Sequence, residues 1–337
     1  MKVAAVSGSA RASTSRVHAT SRAAAALVAS VLGLTAWACD AVAADSEAIA
    51  ATRPHTVQVG TQSRSYRLHV PPKVDVQRAL PLVLVFHGGG GTPEQIERES
   101  RFSELADREG FAVAYPAGYR RSWNDGRGSE VIAAQRDGVD DVAFVSALID
   151  DVAAQRRIDP KRIYATGISN GAMFSQQLAV ALSTRIAAIA SVAGGMPQPL
   201  LARFAPQAPV SVLVVHGSLD PLVPYGGGDV KVLGGARGRV VGAEETARRW
   251  SEFDGCGPVA AAEEVTATVG NEACGTMRVS YPHCGNATGV VLLRLNGGGH
   301  TWPGGSQYLP ERLVGKVCRE LDGAALIWDF FKQHPKP

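Results

Sequence analysis

Pro81-Leu82-Val83-Leu84-Val85-Phe86 is apolar at every position and runs straight into His87-Gly88-Gly89-Gly90-Gly91. A strand with no polar side chain has to be covered on both faces, the condition of a strand in a parallel sheet layered with helices. Similar runs recur at Phe111 to Tyr115, Ile186 to Val192, Pro209 to Val215 and Val290 to Leu295, with a shorter one at Arg162 to Thr166. Between them lie helical patterns. Acids and bases interleave over Pro93 to Glu109, Val142, Val145, Ile149 and Val152 recur at steps of three and four, and further helices are expected from Asn170 to about Leu182, from Ala243 to Phe253 and around Ala324, Trp328 and Phe331. Strands alternating with helices predict an α/β fold, a mostly parallel sheet with helices on both faces. Thr56 to Gly60 and Ser65 to Val70 alternate apolar and polar residues as a half-buried hairpin does, and two short strands are expected around Val265 and Val279. The glycine-rich stretch 226 to 238 reads as a loop over the face where the strands end.

The N-terminal residues do not fit this pattern. Lys2, Arg11, Arg16 and Arg22 occur with no acid among them, Ala23 to Cys39 is apolar, and Ala41-Val42-Ala43-Ala44 supplies small residues. That order predicts a secretory signal peptide over residues 1 to 44, its apolar run being shorter than the roughly 20 residues that span a bilayer. Lipid attachment at Cys39 fits less well, because the bulky Trp37 stands where small residues are required. Residues 45 to 337 are then expected to form one catalytic domain. Of 34 Lys/Arg and 31 Asp/Glu, residues 1 to 44 hold four and one, so the remainder balances at 30 against 30. A neutral surface argues against nucleic acid or an anionic membrane as partner. With 45% hydrophobic and 19% charged residues, the body can bury a sizeable core and has no run of membrane length. Cys256, Cys274, Cys284 and Cys318 lie beyond the leader, an even number in an exported chain, and four cysteines allow three disulfide connectivities. A metal site is not expected: there is no C-x-x-C pair, and His283 beside Cys284 lacks a partner at zinc-like spacing.

Gly167-Ile168-Ser169-Asn170-Gly171 matches G-x-S-x-G, a short pattern whose meaning depends on its setting. Here it follows Ile163-Tyr164-Ala165-Thr166 and opens a helix, the strand-turn-helix context in which a serine nucleophile is presented. A hydroxyl needs a base. Of seven histidines after residue 44, His300 stands apart, since a buried strand and Asn296-Gly297-Gly298-Gly299 precede it and Thr301-Trp302-Pro303-Gly304-Gly305 follows. These glycines predict a mobile loop that brings the imidazole over the nucleophile. His87 and His216 read as structural. A carboxylate that orients the imidazole is expected between serine and histidine in the chain, and Asp220 follows a buried strand through His216-Gly217-Ser218-Leu219, whereas Asp229 and Asp254 do not. The Asn170 N–H and the Gly88 to Gly91 run are candidate oxyanion donors. The glycine run lacks the patterns of a nucleotide site.

Together with Ser122-Trp123-Asn124 and Asp159-Pro160, these segments closely resemble the α/β-hydrolase family of secreted polyhydroxybutyrate depolymerases and related feruloyl and acetylxylan esterases, from about residue 65 to 333. The resemblance implies a secreted carboxylic-ester hydrolase without metal or cofactor. It implies a catalytic triad of Ser169, Asp220 and His300, an oxyanion hole at Asn170 and Gly89, and Trp123, Trp302 and Tyr225 beside the substrate. It also implies a Cys256–Cys284 disulfide, leaving Cys274 and Cys318 as a second pair. An acyltransferase, a peptidase and a non-hydrolytic binding protein are the other readings of the same constellation. Many polymer depolymerases carry an appended linker and binding module, which this chain does not show, so small esters are expected to be better substrates than crystalline polymer.

Overall fold

The computed structural model describes residues 52–75, 77–232, 234–266 and 274–337; the expected signal peptide lies outside them. Twelve strands are present among these residues: β1 Arg53–Val59, β2 Gln62–His69, β3 Leu80–Phe86, β4 Ala112–Pro116, β5 Ile158–Ile168, β6 Ala188–Val192, β7 Ser211–Gly217, β8 Gly227–Val232, β9 Gly235–Val241, β10 Glu263–Thr266, β11 Gly275–Tyr281 and β12 Val290–Asn296. Ten form one sheet in the order β1-β2-β4-β3-β5-β6-β7-β12-β11-β10. The six central strands, β4 to β12 in that order, are parallel, and antiparallel pairs close both edges. The α/β expectation therefore holds, as does the hairpin at the N-terminal edge.

The helices that shape the site are α1 Pro93–Ser100, α2 Phe102–Glu109, α3 Asp141–Gln155, α4 Asn170–Ala181, α5 Ala243–Phe253 and α6 Gly323–Gln333. They cover both faces because successive strand residues point to opposite sides. Leu82, Leu84 and Phe86 of β3 pack with Phe144 and Leu148 of α3, Phe174 of α4 and Trp250 of α5. Val83 and Val85 pack on the other face with Ile96 of α1, Phe102 of α2 and Trp328 of α6.

Two sequence expectations are corrected. The helix expected over Pro93 to Glu109 is two helices, because Arg101 takes a left-handed conformation (φ 58°), closing α1 through its N–H to Glu97 O and starting α2 in a new direction. The glycine-rich stretch at 226 to 238 is not a plain loop but the β8–β9 hairpin, a separate two-stranded sheet. Its Val230 and Val240 pack on Met173 of α4 and Val223, so the glycines serve turns around an apolar anchor. Both disulfides implied by the resemblance are formed, Cys256–Cys284 and Cys274–Cys318. No helix among the described residues is long and apolar enough to cross a membrane.

Candidate active site

Ser169 stands between β5 and α4 with φ 59° and ψ −118°, a backbone conformation that side-chain-bearing residues rarely adopt. Such strain costs on the order of 1–3 kcal/mol and persists only where the surroundings enforce it. The flanking glycines show how. A Cβ on Gly171 would lie 2.4 Å from Phe86 O, and one on Gly167 would lie 2.6 Å from the same atom, so α4 can start this close to β3 only without side chains there. The Ser169 N–H donates to Val192 O, and Ser169 O accepts from Met173 N–H.

His300 follows β12, and Asp220 follows β7, the parallel neighbour of β12. His300 Nδ1 lies 2.7 Å from Asp220 Oδ2, with both side chains buried. That contact engages Nδ1 and not Nε2, and His300 lines the same cavity as Ser169. Asp220 Oδ1 accepts from the N–H groups of Leu222 and Val223, each at 2.8 Å. Burial alone would raise its pKa, but the charge of His300 and the hydrogen bonds from His216 and His300 outweigh burial and hold this carboxyl well below the usual range. His216 is structural, as expected: Nε2 lies 2.9 Å from Val223 O and 3.4 Å from Asp220 Oδ2, so it braces the loop that carries the acid. The rival acids are placed elsewhere in other roles. Asp229 pairs with Arg239 across the hairpin, and Asp254 ends α5 near the Cys256–Cys284 disulfide.

The loop bearing His300 is packed tightly, contrary to the mobile loop expected from its glycines. A Cβ on Gly299 would meet Val314 O at 2.3 Å and one on Gly217 would meet Gly298 O at 2.3 Å. Here glycine permits close backbone approach rather than motion. The His300 N–H donates to Val314 O, and the Tyr308 hydroxyl donates to His300 O at 2.9 Å.

Gly88 and Gly89 lie over the start of α4, where a Cβ on Gly88 would be 3.5 Å from Ser169 Cβ and one on Gly89 3.8 Å from Asn170 Cβ. Asn170, first residue of α4, has an N–H with no acceptor inside the helix. The glycine turn is held by His87. Gly118 N–H donates to His87 Nε2 at 3.0 Å, which leaves Nδ1–H to donate to Gly88 O at 2.8 Å. Burial pushes the His87 pKa down to about 4.

The aromatic residues are where the sequence reading is corrected. Trp123 and Trp302 are 0% and 1% exposed, and neither they nor Tyr225 line the cavity. Trp123 stacks on Phe174 and donates its indole N–H to His87 O, while its backbone N–H donates to Asn170 Oδ1 at 2.8 Å. Trp302 packs edge-on against Phe102 and lies so close to Gly323 that a Cβ there would be 2.9 Å from its indole nitrogen. Tyr225 is half-buried, with its hydroxyl donating to Glu244. The motifs containing these rings act on the scaffold, because large rings beside the turns are what hold those turns in place.

Ser169, Asn170, Gly88, Gly89 and His300 line one cavity of about 530 Å³, a usual size for a small-molecule site. Two groups, one buried beside the cavity and one lining it, escaped the sequence reading. Asp125 accepts from Asn170 Nδ2 at 2.6 Å and is paired with Arg127, with side chains of both almost fully buried. Glu99, on α1, lines the cavity with Oε1 buried and without a hydrogen-bond partner among the described residues. Burial pushes its pKa up to about 7, the charge of His300 opposing. Asp125 directly follows Ser122-Trp123-Asn124 and Glu99 lies on α1, so each comes to the site from an element distant in sequence from Ser169.

A parallel sheet with a strained serine at a strand-to-helix turn, and a histidine–aspartate pair on later loops, defines an α/β-hydrolase. The same fold is seen in the acetyl xylan esterase from Aspergillus awamori, with a TM-score of 0.56 at 15% identity over 83% of this chain and 99% of that one. Residues 64–197 match the esterase PHB depolymerase family model. The protein named "Putative esterase NocK" from Nocardia uniformis subsp. tsuyamanensis is 33% identical over 288 residues, 83% of each chain. Feruloyl esterase B of Piromyces equi is 28% identical over 266 residues, 77% of this chain but 43% of that longer protein. The chain belongs to the esterase PHB depolymerase family and is a carboxylic-ester hydrolase.

Proposed function

We propose that the chain is an exported serine esterase that cleaves short-acyl, hydroxyalkanoate or feruloyl esters through an acyl-enzyme, with Ser169, His300 and Asp220 as its triad. The reading rests on one observation: the strained Ser169 shares its cavity with a His300 whose Nδ1 is already engaged by a buried carboxylate. Ser169 Oγ attacks the ester carbonyl carbon while His300 Nε2 takes the hydroxyl proton, and the Asn170 and Gly89 N–H groups stabilise the oxyanion. The C–O bond to the alcohol then breaks, and His300 returns the proton to that oxygen. Water repeats the sequence on the acyl-enzyme and releases the acid.

Two disulfides and the basic-apolar-small order of residues 1 to 44 support export. Mature protein should begin at about Asp45, which N-terminal sequencing of culture fluid would read. A fluorophosphonate probe should label wild-type protein on Ser169 and leave Ser169→Ala unlabelled. Loss of the nucleophile should lower turnover of 4-nitrophenyl acetate by about a millionfold. A folded Ser169→Ala protein keeping more than a few per cent of activity would refute the assignment.

A further inference from the structure

Four arginines line the cavity against one carboxyl, that of Glu99, whose burial favours the uncharged form. Arg127 is engaged by Asp125. The other three have little to neutralise them. Arg121 Nε donates to Gly91 O at 3.3 Å and Arg237 Nη1 to Ala236 O at 3.2 Å, and neither has an ion pair among the described residues. Arg120 lies 3.9 Å from Asp137, a carboxylate that Arg136 already holds at 2.8 Å.

The backbone carrying two of these side chains is unusual. Arg120 and Arg121 are both left-handed, with φ 47° and 62°, in a turn where Arg121 N–H donates to Gly118 O. Glycine or asparagine would adopt that conformation with less strain. Two consecutive arginines there put strained backbone and incompletely neutralised charge at the same cavity wall, Arg120 sharing Asp137 with Arg136 and Arg121 having no ion pair among the described residues, a coincidence characteristic of ligand sites. Arg237 comes from the β8–β9 hairpin, whose Val230 and Val232 also line the cavity. One cavity thus joins an apolar wall, Ser169 and three arginines that have little to neutralise them.

We propose that this cavity selects esters carrying a second, anionic group, a carboxylate on the acid or the alcohol side, bound by Arg120, Arg121 and Arg237 while Ser169 faces the ester carbonyl. The substrate class is monoesters of dicarboxylic acids or esters of hydroxy acids whose carboxyl is free. Guanidinium groups match a carboxylate in shape and charge, and the cavity is large enough for one small ester to touch both ends. This inference rests on the esterase reading of Ser169.

The test measures kcat/KM for two matched pairs at low ionic strength: 4-nitrophenyl hemisuccinate against 4-nitrophenyl pentanoate for the acid side, and 3-acetoxybutyrate against 3-acetoxybutyramide for the alcohol side. The anionic member of at least one pair should be preferred about tenfold, and Arg120→Gln and Arg237→Gln should each reduce that ratio by up to about fivefold, the upper range for an exposed ion pair. The ratio should also shrink at 1 M salt, where screening acts over about 3 Å. Ratios at or below one in both pairs, or ratios unmoved by both substitutions, would overturn the proposal. Calorimetric binding of monomethyl succinate and methyl pentanoate to Ser169→Ala separates the two readings. Preference for the anion there, with no turnover by wild type, sinks the esterase mechanism but keeps the anion site; absence of preference sinks the anion site.

Discussion

The side-chain amide of Asn170 donates to the carboxylate of Asp125 at 2.6 Å, and through that bond a loop after β4 governs the first residue of α4. Asn170 Oδ1 in turn accepts the N–H of Trp123, so the amide is held at both ends. Its backbone N–H, the proposed oxyanion donor, is thereby fixed in direction before any ester arrives. Asp125→Ala should lower kcat with little change in KM on 4-nitrophenyl acetate. It should also destabilise the fold by about 3–5 kcal/mol, since Arg127 is left as a buried, unpaired charge. Arg127→Ala added to it should recover part of the stability but not kcat, as chemical denaturation and steady-state kinetics on the same preparations would show.

Asp220→Asn should lower turnover by about four orders of magnitude, because an amide in place of the carboxylate no longer sets the His300 tautomer. Asp229→Asn and Asp254→Asn should leave turnover within a few-fold of wild type, as Asp229 pairs across the hairpin and Asp254 ends α5. A crippled Asp254→Asn enzyme with an active Asp220→Asn enzyme would reverse the assignment of the acid.

His87 predicts an acid limit to stability. Its pKa falls from 6.5 in an unfolded chain to about 4 on folding, chiefly through burial. The unfolded state therefore binds more protons in that window, so stability is full above about pH 6.5 and is lost as pH falls toward 4. The loss amounts to about 3 kcal/mol. His87→Gln should flatten unfolding free energy against pH between those limits. Glu99 acts in the opposite sense, its raised pKa weakening the fold as pH climbs from 4.5 to about 7. Glu99→Gln should remove that slope and leave the acid-side loss intact.

The two disulfides should separate function from stability. A Cβ on Gly298 would lie 2.8 Å from Cys318 Sγ, and Gly304 N–H donates to Cys318 O, so the Cys274–Cys318 bridge abuts the chain on both sides of His300. Replacing that pair with serines should cost about 2–5 kcal/mol and also reduce kcat. Replacing Cys256 and Cys284 should reduce the melting temperature with kcat preserved. Equal kcat in the two double variants would show that the bridge does not position His300.

Periodicity and motif spacing alone were enough to reveal the layered sheet, the serine at its strand-to-helix turn, and the acid and histidine on later loops, because wholly apolar strands and G-x-S-x-G are local consequences of burial and sharp turning. The His300–Asp220 contact was legible for the same reason: both residues lie on loops that follow parallel, neighbouring strands, which places those loops at one edge of the sheet. What faces the cavity was decided by tertiary packing. Trp302 lies in a conspicuous motif, yet Phe102 and the bare backbone of Gly323, remote in sequence, enclose its ring. Trp123 is likewise taken up by Phe174. Glu99 and Arg237 carry no motif at all and reach the cavity because α1 and the β8–β9 hairpin fold over it. A sequence states which side chains are large, charged or reactive; which of them meet depends on the volumes that distant elements fill first.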